Sequence, residues 1–329
     1  MMDNRGRVML QVFGHAARLA GVPLLRYATD SQDLAACQAE ARAFYGYDAV
    51  YAASDNSVEA EAMGAAVFFP DDDYPYIVEH PLKSIAGLDR LEVPDPRVHG
   101  RMPVILEACR LLRRASPPGV TVVGYALGPV TLAGQLLGLE PFLYLLADDP
   151  AGAAALIELA AEVTTRYARA IIEAGAHAVT LYEPNASPTV LPPRLFRQMA
   201  LPSLRRVMNS LSDTGAARWV QVPGPARPLL PDLATLQPDA ACVDYQVPIS
   251  EALAGLPSAL VVGNLKPLLF VSATPAEIEG AVRSLVEEAR QASSGIPRLV
   301  PGAGCEVPPA SRPDCVKAMV ETARKALRG

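Results

Sequence analysis

Leu299-Val300-Pro301-Gly302-Ala303-Gly304-Cys305-Glu306-Val307-Pro308-Pro309, close to the C-terminus, runs from a short apolar segment into two glycines, a thiol and a carboxylate, and then into two prolines. The prolines forbid a helix from starting at once, so the stretch reads as a buried strand that delivers a reactive side chain to a rim. A lone cysteine after a glycine turn is as often structural as functional. What favours function here is that other strand-like runs also end in polar residues.

Working outward, apolar runs begin near positions 7, 48, 120, 177, 218, 241, 260 and 298. Helical patterns lie between most of them: 31–44 with a Ser cap, 104–114, two helices within 141–173, 193–211, 229–236, 249–253, a helix opened by Ala273-Thr274-Pro275 and running to about 292 with Thr274 as its cap, and 312–327. Asp149 before Pro150 is a natural N-cap, with proline at the first helical position. Val67-Phe68-Phe69, an acidic Pro70-Asp71-Asp72-Asp73 turn and Tyr76-Ile77-Val78 read as a small inserted hairpin. Eight strand-helix units predict an α/β fold, a (β/α)8 TIM barrel, as a single domain over 1–329 with a small N-terminal insertion. An open doubly wound sheet is the alternative; no GxGxxG follows the first run, against a dinucleotide version.

The chain has 329 residues, half of them hydrophobic, enough for a large core. Net charge of -6 and no Lys/Arg cluster argue against nucleic acid as a partner. No apolar run approaches the ~20 residues a membrane span needs, and positions 1–7 lack a signal layout, so a cytoplasmic protein is expected. Five cysteines without a CxxC pair read as free thiols.

In a barrel, chemistry sits where the strands end at their C-terminal side. Those tips carry Asp55, Tyr125, Glu183, Gln221, Asp244, Asn264 and Cys305. Converging carboxylates and a thiol are more than buried apolar strands otherwise supply. His15, His80 and His177 read as structural, His80 in a His-Pro turn.

At these positions the chain resembles a known family. Asp55-Asn56-Ser57-Val58-Glu59-Ala60-Glu61-Ala62-Met63-Gly64-Ala65, His80-Pro81, Gly128-Pro129, Asp149-Pro150, Gly175-Ala176-His177 and Gly263-Asn264-Leu265 are arranged as in the uroporphyrinogen decarboxylase superfamily. The Asp55 segment and the Gly304-Cys305 tip are closer to its methylcobamide:coenzyme M methyltransferase branch. That resemblance implies methyl transfer with cobalamin carried on a partner corrinoid protein, because no Asp-x-His-x-x-Gly cobalamin motif occurs here. It also implies zinc held by a His-x-Cys pair and a later Cys, a site that lowers a thiol's pKa. Gln221-Val222-Pro223 stands where the pair would be, which leaves Cys305 and Asp244 as metal candidates. The decarboxylases of the superfamily grip their substrate's carboxylates with an arginine-rich loop, whereas this chain offers only Arg18 after Gly14-His15.

The expectation is therefore a corrinoid-dependent methyltransferase acting on a small-molecule methyl donor or acceptor such as an ether, amine or pterin. Asp55, Glu183, Asp244 and Cys305 are its expected catalytic groups. Asn56, Tyr125, Tyr182, Gln221 and Asn264 are its expected substrate contacts. A decarboxylase-like lyase and a barrel that binds a ligand or corrinoid protein without chemistry are the alternatives.

Overall fold

The structure, a computed structural model, describes residues 6–295 and 297–328. Its strands are β1 (Ala49–Ala52), β2 (Ala66–Phe68), β3 (Tyr76–Glu79), β4 (Thr121–Leu127), β5 (Ala178–Tyr182), β6 (Ala217–Gln221), β7 (Ala240–Cys242), β8 (Leu260–Leu265) and β9 (Leu299–Ala303). Seven of them form one parallel sheet in the order β1-β4-β5-β6-β7-β8-β9, and β2 pairs antiparallel with β3 as the expected hairpin. Every residue of β1, β8 and β9 is buried, because helices cover the sheet. Strands so placed read as continuous apolar runs rather than alternating ones.

The first apolar run departs from expectation. Residues 7–12 form no ladder, yet they bond to both outer strands of the sheet: Asp48 N–H donates to Val8 O at 2.8 Å and Met9 N–H to Pro301 O at 3.0 Å. Further along, Val307 N–H donates to Gln11 O at 2.8 Å, and Val12 pairs with Val307 in an isolated parallel bridge. Pro301 accounts for part of the irregularity. Its nitrogen and carbonyl face the same neighbour, and the nitrogen has no hydrogen to return a bond.

The two glycines of the terminal stretch are needed for close approach rather than for a turn. A Cβ on Gly302 would collide with the Met9 carbonyl, and one on Gly304 would lie 2.6 Å from the Tyr245 nitrogen. The stretch can therefore thread between residue 9 and residues 244–245 only with hydrogen at both positions. This threading sets Cys305 and Glu306 at the strand ends.

Helix ends follow local chemistry. The helix Ser31–Tyr45 is capped by Asp30, which accepts from Gln32 N and Asp33 N, and not by Ser31. Asp149 and Thr274 cap their helices as expected, the latter in a reciprocal box with Glu277. The helix Pro129–Leu137 carries no readable period because eight of its nine residues are buried. Among the described residues no single helix is long and apolar enough to cross a membrane.

Candidate active site

A cavity of about 510 Å³ opens where the strands end. The segment after residue 12, the loop after β1, strand β4 with the helix Pro129–Leu137 that follows it, strand β5 with the turn that follows it, the tip after β9 and the β2-β3 hairpin all contribute to its wall. Of the nine expected site residues, Asp55, Asn56, Tyr125, Tyr182 and Cys305 line it. Glu183, Gln221, Asp244 and Asn264 do not, and each has a visible occupation elsewhere.

Glu183 is fully buried and turned toward the helix Pro129–Leu137. Its carboxylate accepts from Val130 N at 3.0 Å, from Thr131 N at 2.6 Å and from the Thr131 hydroxyl. That helix begins at Gly128, which has no side chain to cap it, so the carboxylate at the end of β5 satisfies the free N–H groups instead. Burial raises the Glu183 pKa to about 7 against the lowering effect of these hydrogen bonds. The expected catalytic carboxylate therefore positions a helix.

Asn264 and Asp244 shape the turn after β7. Asn264 Nδ2 donates to Asp244 O at 3.0 Å and to Val247 O at 2.7 Å, while Asp244 Oδ1 accepts from Gln246 N at 3.0 Å. Asp244 closes its own turn, the usual work of Asp, while Asn264 braces that turn from the neighbouring strand β8.

Gln221 lies behind the cavity wall, bonded to residues that line it. Its Oε1 accepts from Gln11 Nε2 at 2.6 Å and from the Tyr125 hydroxyl at 2.9 Å, and its Nε2 lies 3.6 Å from Cys305 Sγ. The Tyr182 hydroxyl is 3.8 Å from the same sulfur. Burial pushes the Cys305 thiol above its ordinary pKa, and the neighbouring Glu306 and Asp244 charges add to the rise. The sulfur is thus a neutral thiol near pH 7, held by an amide and a phenol.

Asp55 reaches the cavity edge but spends its carboxylate inward. Arg101 donates to Oδ2 at 2.5 Å and to Oδ1 at 3.1 Å, Ser57 N to Oδ1 at 2.9 Å, and the Ser54 hydroxyl to Oδ2 at 2.9 Å. Arg101 also pairs with Glu61 at 2.6 Å. A carboxylate so fully paired clamps the loop after β1.

The wall also holds Glu306, Phe13 and Gln135, to which the sequence assigned no role, and His80, which read as structural. Glu306 is the neighbour of Cys305; its Oε1 accepts from the Tyr74 hydroxyl, which itself accepts from Gly14 N at 2.6 Å. Burial raises Glu306 to about 7. His80 also lines the cavity, with Nδ1 2.7 Å from Gln135 O. Gln135 Oε1 is buried and has no hydrogen-bond partner among the described residues. The rings of Phe13, Tyr125 and Tyr182 form a continuous aromatic wall, with centroids 5.4 and 5.1 Å apart. No Lys or Arg lines the cavity among the described residues.

A partly polar, largely aromatic cavity at the C-terminal ends of parallel strands is the usual place for a small-molecule site in this class of fold. The chain belongs to the uroporphyrinogen decarboxylase (URO-D) family, whose model matches residues 1–326. It is 25% identical over 260 residues to a methylcobamide:CoM methyltransferase of Methanosarcina mazei, covering 78% of this chain and 76% of that one. It is 30% identical over 300 residues to a uroporphyrinogen decarboxylase of Thioalkalivibrio sulfidiphilus, covering 85% and 80%. A solved methyltransferase from Methanosarcina mazei shares its fold over the whole chain and 96% of its own, with a TM-score of 0.89 and 24% identity.

Zinc, which the methyltransferase resemblance implies, does not fit these residues. Among the described residues no three His, Cys, Asp or Glu gather closely enough to hold a metal. Cys305 is met by Gln221 and Tyr182 instead. An amide and a phenol are poor zinc ligands beside the thiolates and imidazoles such sites use.

Proposed function

We propose that the chain moves a methyl group between a small substrate in the cavity and a cobamide carried by a separate corrinoid protein. The reaction takes place on a closed (β/α)8 barrel in which residues 8–12 supply the eighth strand position, the whole chain acting as one domain. Asn56, Tyr125 and Tyr182 contact the substrate. Cys305 faces it as an uncharged, polarisable thiol. Asp55, Glu183, Gln221, Asp244 and Asn264 hold the loops and the wall residues that shape the space.

The observation that carries this reading is the charge of the wall. A porphyrinogen bearing many carboxylates needs cations around it, and this cavity offers none, its acids being Asp55 and Glu306. Burying unpaired carboxylates costs several kcal/mol per ion. Methyl transfer asks for a well-placed carbon centre rather than for cations, which is compatible with this wall. The methylcobamide:CoM methyltransferases among its relatives support the same reading.

The test is anaerobic incubation with methylcobalamin and a panel of thiol, amine, phenol and pterin acceptors, followed in the visible spectrum, with uroporphyrinogen turnover measured in parallel. Loss of the methylcobalamin spectrum with one acceptor class supports the proposal. Carboxyl loss from uroporphyrinogen without any methyl transfer supports the decarboxylase instead.

A further inference from the structure

Two acids line the cavity, and only one is compensated. Asp55 meets the Arg101 guanidinium through both oxygens. Glu306 meets no cation among the described residues: its contacts are the Tyr74 hydroxyl and a Gly14 N–H at 3.4 Å. A half-buried carboxylate without a counter-charge is a costly element to keep beside an open cavity, and with its pKa raised to about 7 it becomes fully charged only above neutral pH or beside a cation. Around it stand Phe13, Tyr74, Tyr125 and Tyr182, whose rings attract a weakly hydrated cation through their quadrupoles.

We propose that the substrate is a methylated onium ion, of the quaternary ammonium class, seated against the aromatic wall with Glu306 as its counter-ion. This deepens the methyltransferase reading and rests on it. The chemistry agrees with the residues present. When a quaternary ammonium loses a methyl group to a reduced, cobalt(I) cobamide, the C–N bond breaks and both its electrons stay on nitrogen, giving a neutral amine. The new C–Co bond uses the electron pair of the cobalt, which is formally oxidised from I to III. No proton moves, so no acid need be spent on the leaving group and no metal-activated thiolate is required. The product amine has lost the charge that held it, which favours its release.

The experiment is titration calorimetry on the full chain without any corrinoid, so that its outcome is independent of whether methyl transfer is found. The probes are choline and its neutral carbon isostere, 3,3-dimethylbutan-1-ol. Choline is expected to bind at least about tenfold more tightly than the isostere, a difference the cation-π and ion-pair contributions readily cover. Glu306→Gln is expected to cut that preference at least about threefold and leave the isostere unchanged, and Phe13→Leu to weaken choline in a chain whose carboxylate is intact. Equal binding of the two probes by the unaltered protein, no binding of choline at millimolar concentration, or an unchanged preference in Glu306→Gln would each overturn the proposal.

Discussion

Asp55 and Arg101, 46 positions apart in the chain, meet in a two-pronged ion pair with N···O distances of 2.5 and 3.1 Å, and their side chains are 1% and 7% exposed. The pair ties the loop after β1 to the start of the helix Met102–Ala115 and so fixes one wall of the cavity. Removing one partner leaves the other charged and buried. Because Arg101 keeps Glu61 as a partner at 2.6 Å, Asp55→Ala is expected to destabilise the protein by about 1–3 kcal/mol in a denaturant titration, less than a fully orphaned buried charge would cost. A joint replacement of Asp55 and Arg101 by apolar residues should cost much less.

Glu59 gives a pH signature. It is buried, its carboxyl accepts from Leu127 N at 2.7 Å, and burial raises its pKa to about 7. Between its ordinary value of 4.5 and about 7 the folded state holds a proton that the unfolded state has released. Its contribution to stability is therefore full below the lower value and is lost as pH rises through the upper one. Glu59→Gln keeps an acceptor for Leu127 and cannot titrate. Unfolding curves at pH 5 and pH 8 should show the unaltered protein losing on the order of 1–3 kcal/mol more than the variant over that range.

Gly304 tests the threading of the terminal stretch. With the Tyr245 nitrogen 2.6 Å from the added Cβ, Gly304→Ala forces the two backbones apart. A loss of about 1–3 kcal/mol is expected, the usual range for overpacking. Substrate affinity should fall as well, because Cys305 and Glu306 move with the backbone. A variant as stable and as tight-binding as the parent would show that the tip is not held this way.

Cys305 should behave as a neutral thiol. Alkylation by iodoacetamide, followed by mass spectrometry, is expected to be slow at pH 7 and to rise only at pH well above the ordinary thiol range. Purified protein should carry far less than one zinc per chain. Rapid alkylation at neutral pH together with stoichiometric zinc would contradict the hydrogen-bonded thiol.

Seven of the eight expected strands were legible because runs such as 120–127 and 260–264 are mostly apolar, the signature of a sheet covered on both faces, whereas the run at 7–12 looks the same in sequence and forms no ladder. The helix Pro129–Leu137 was not legible, because burial on all sides erases the period that marks an amphipathic helix. For the site, a polar residue at a strand end pointed correctly to the rim but not to the direction of its side chain. Tyr182 and Glu183 are adjacent, yet Tyr182, the last residue of β5, lines the cavity while Glu183, just past the strand end, turns away to cap a helix. Arg101 and Tyr74 were invisible because they reach the site from a helix and a hairpin distant in sequence. Glu306 stood beside Cys305 in plain view, and only the missing cation around it gives it meaning.

The most direct measurement of the central claim is methyl transfer by chelator-treated protein to chemically reduced cobalamin, read as growth of the methylcobalamin spectrum. The account predicts formation at a rate proportional to protein with a quaternary ammonium donor, undiminished by metal removal. No methylcobalamin from any methyl donor, with uroporphyrinogen losing carboxyl groups under the same conditions, would contradict it.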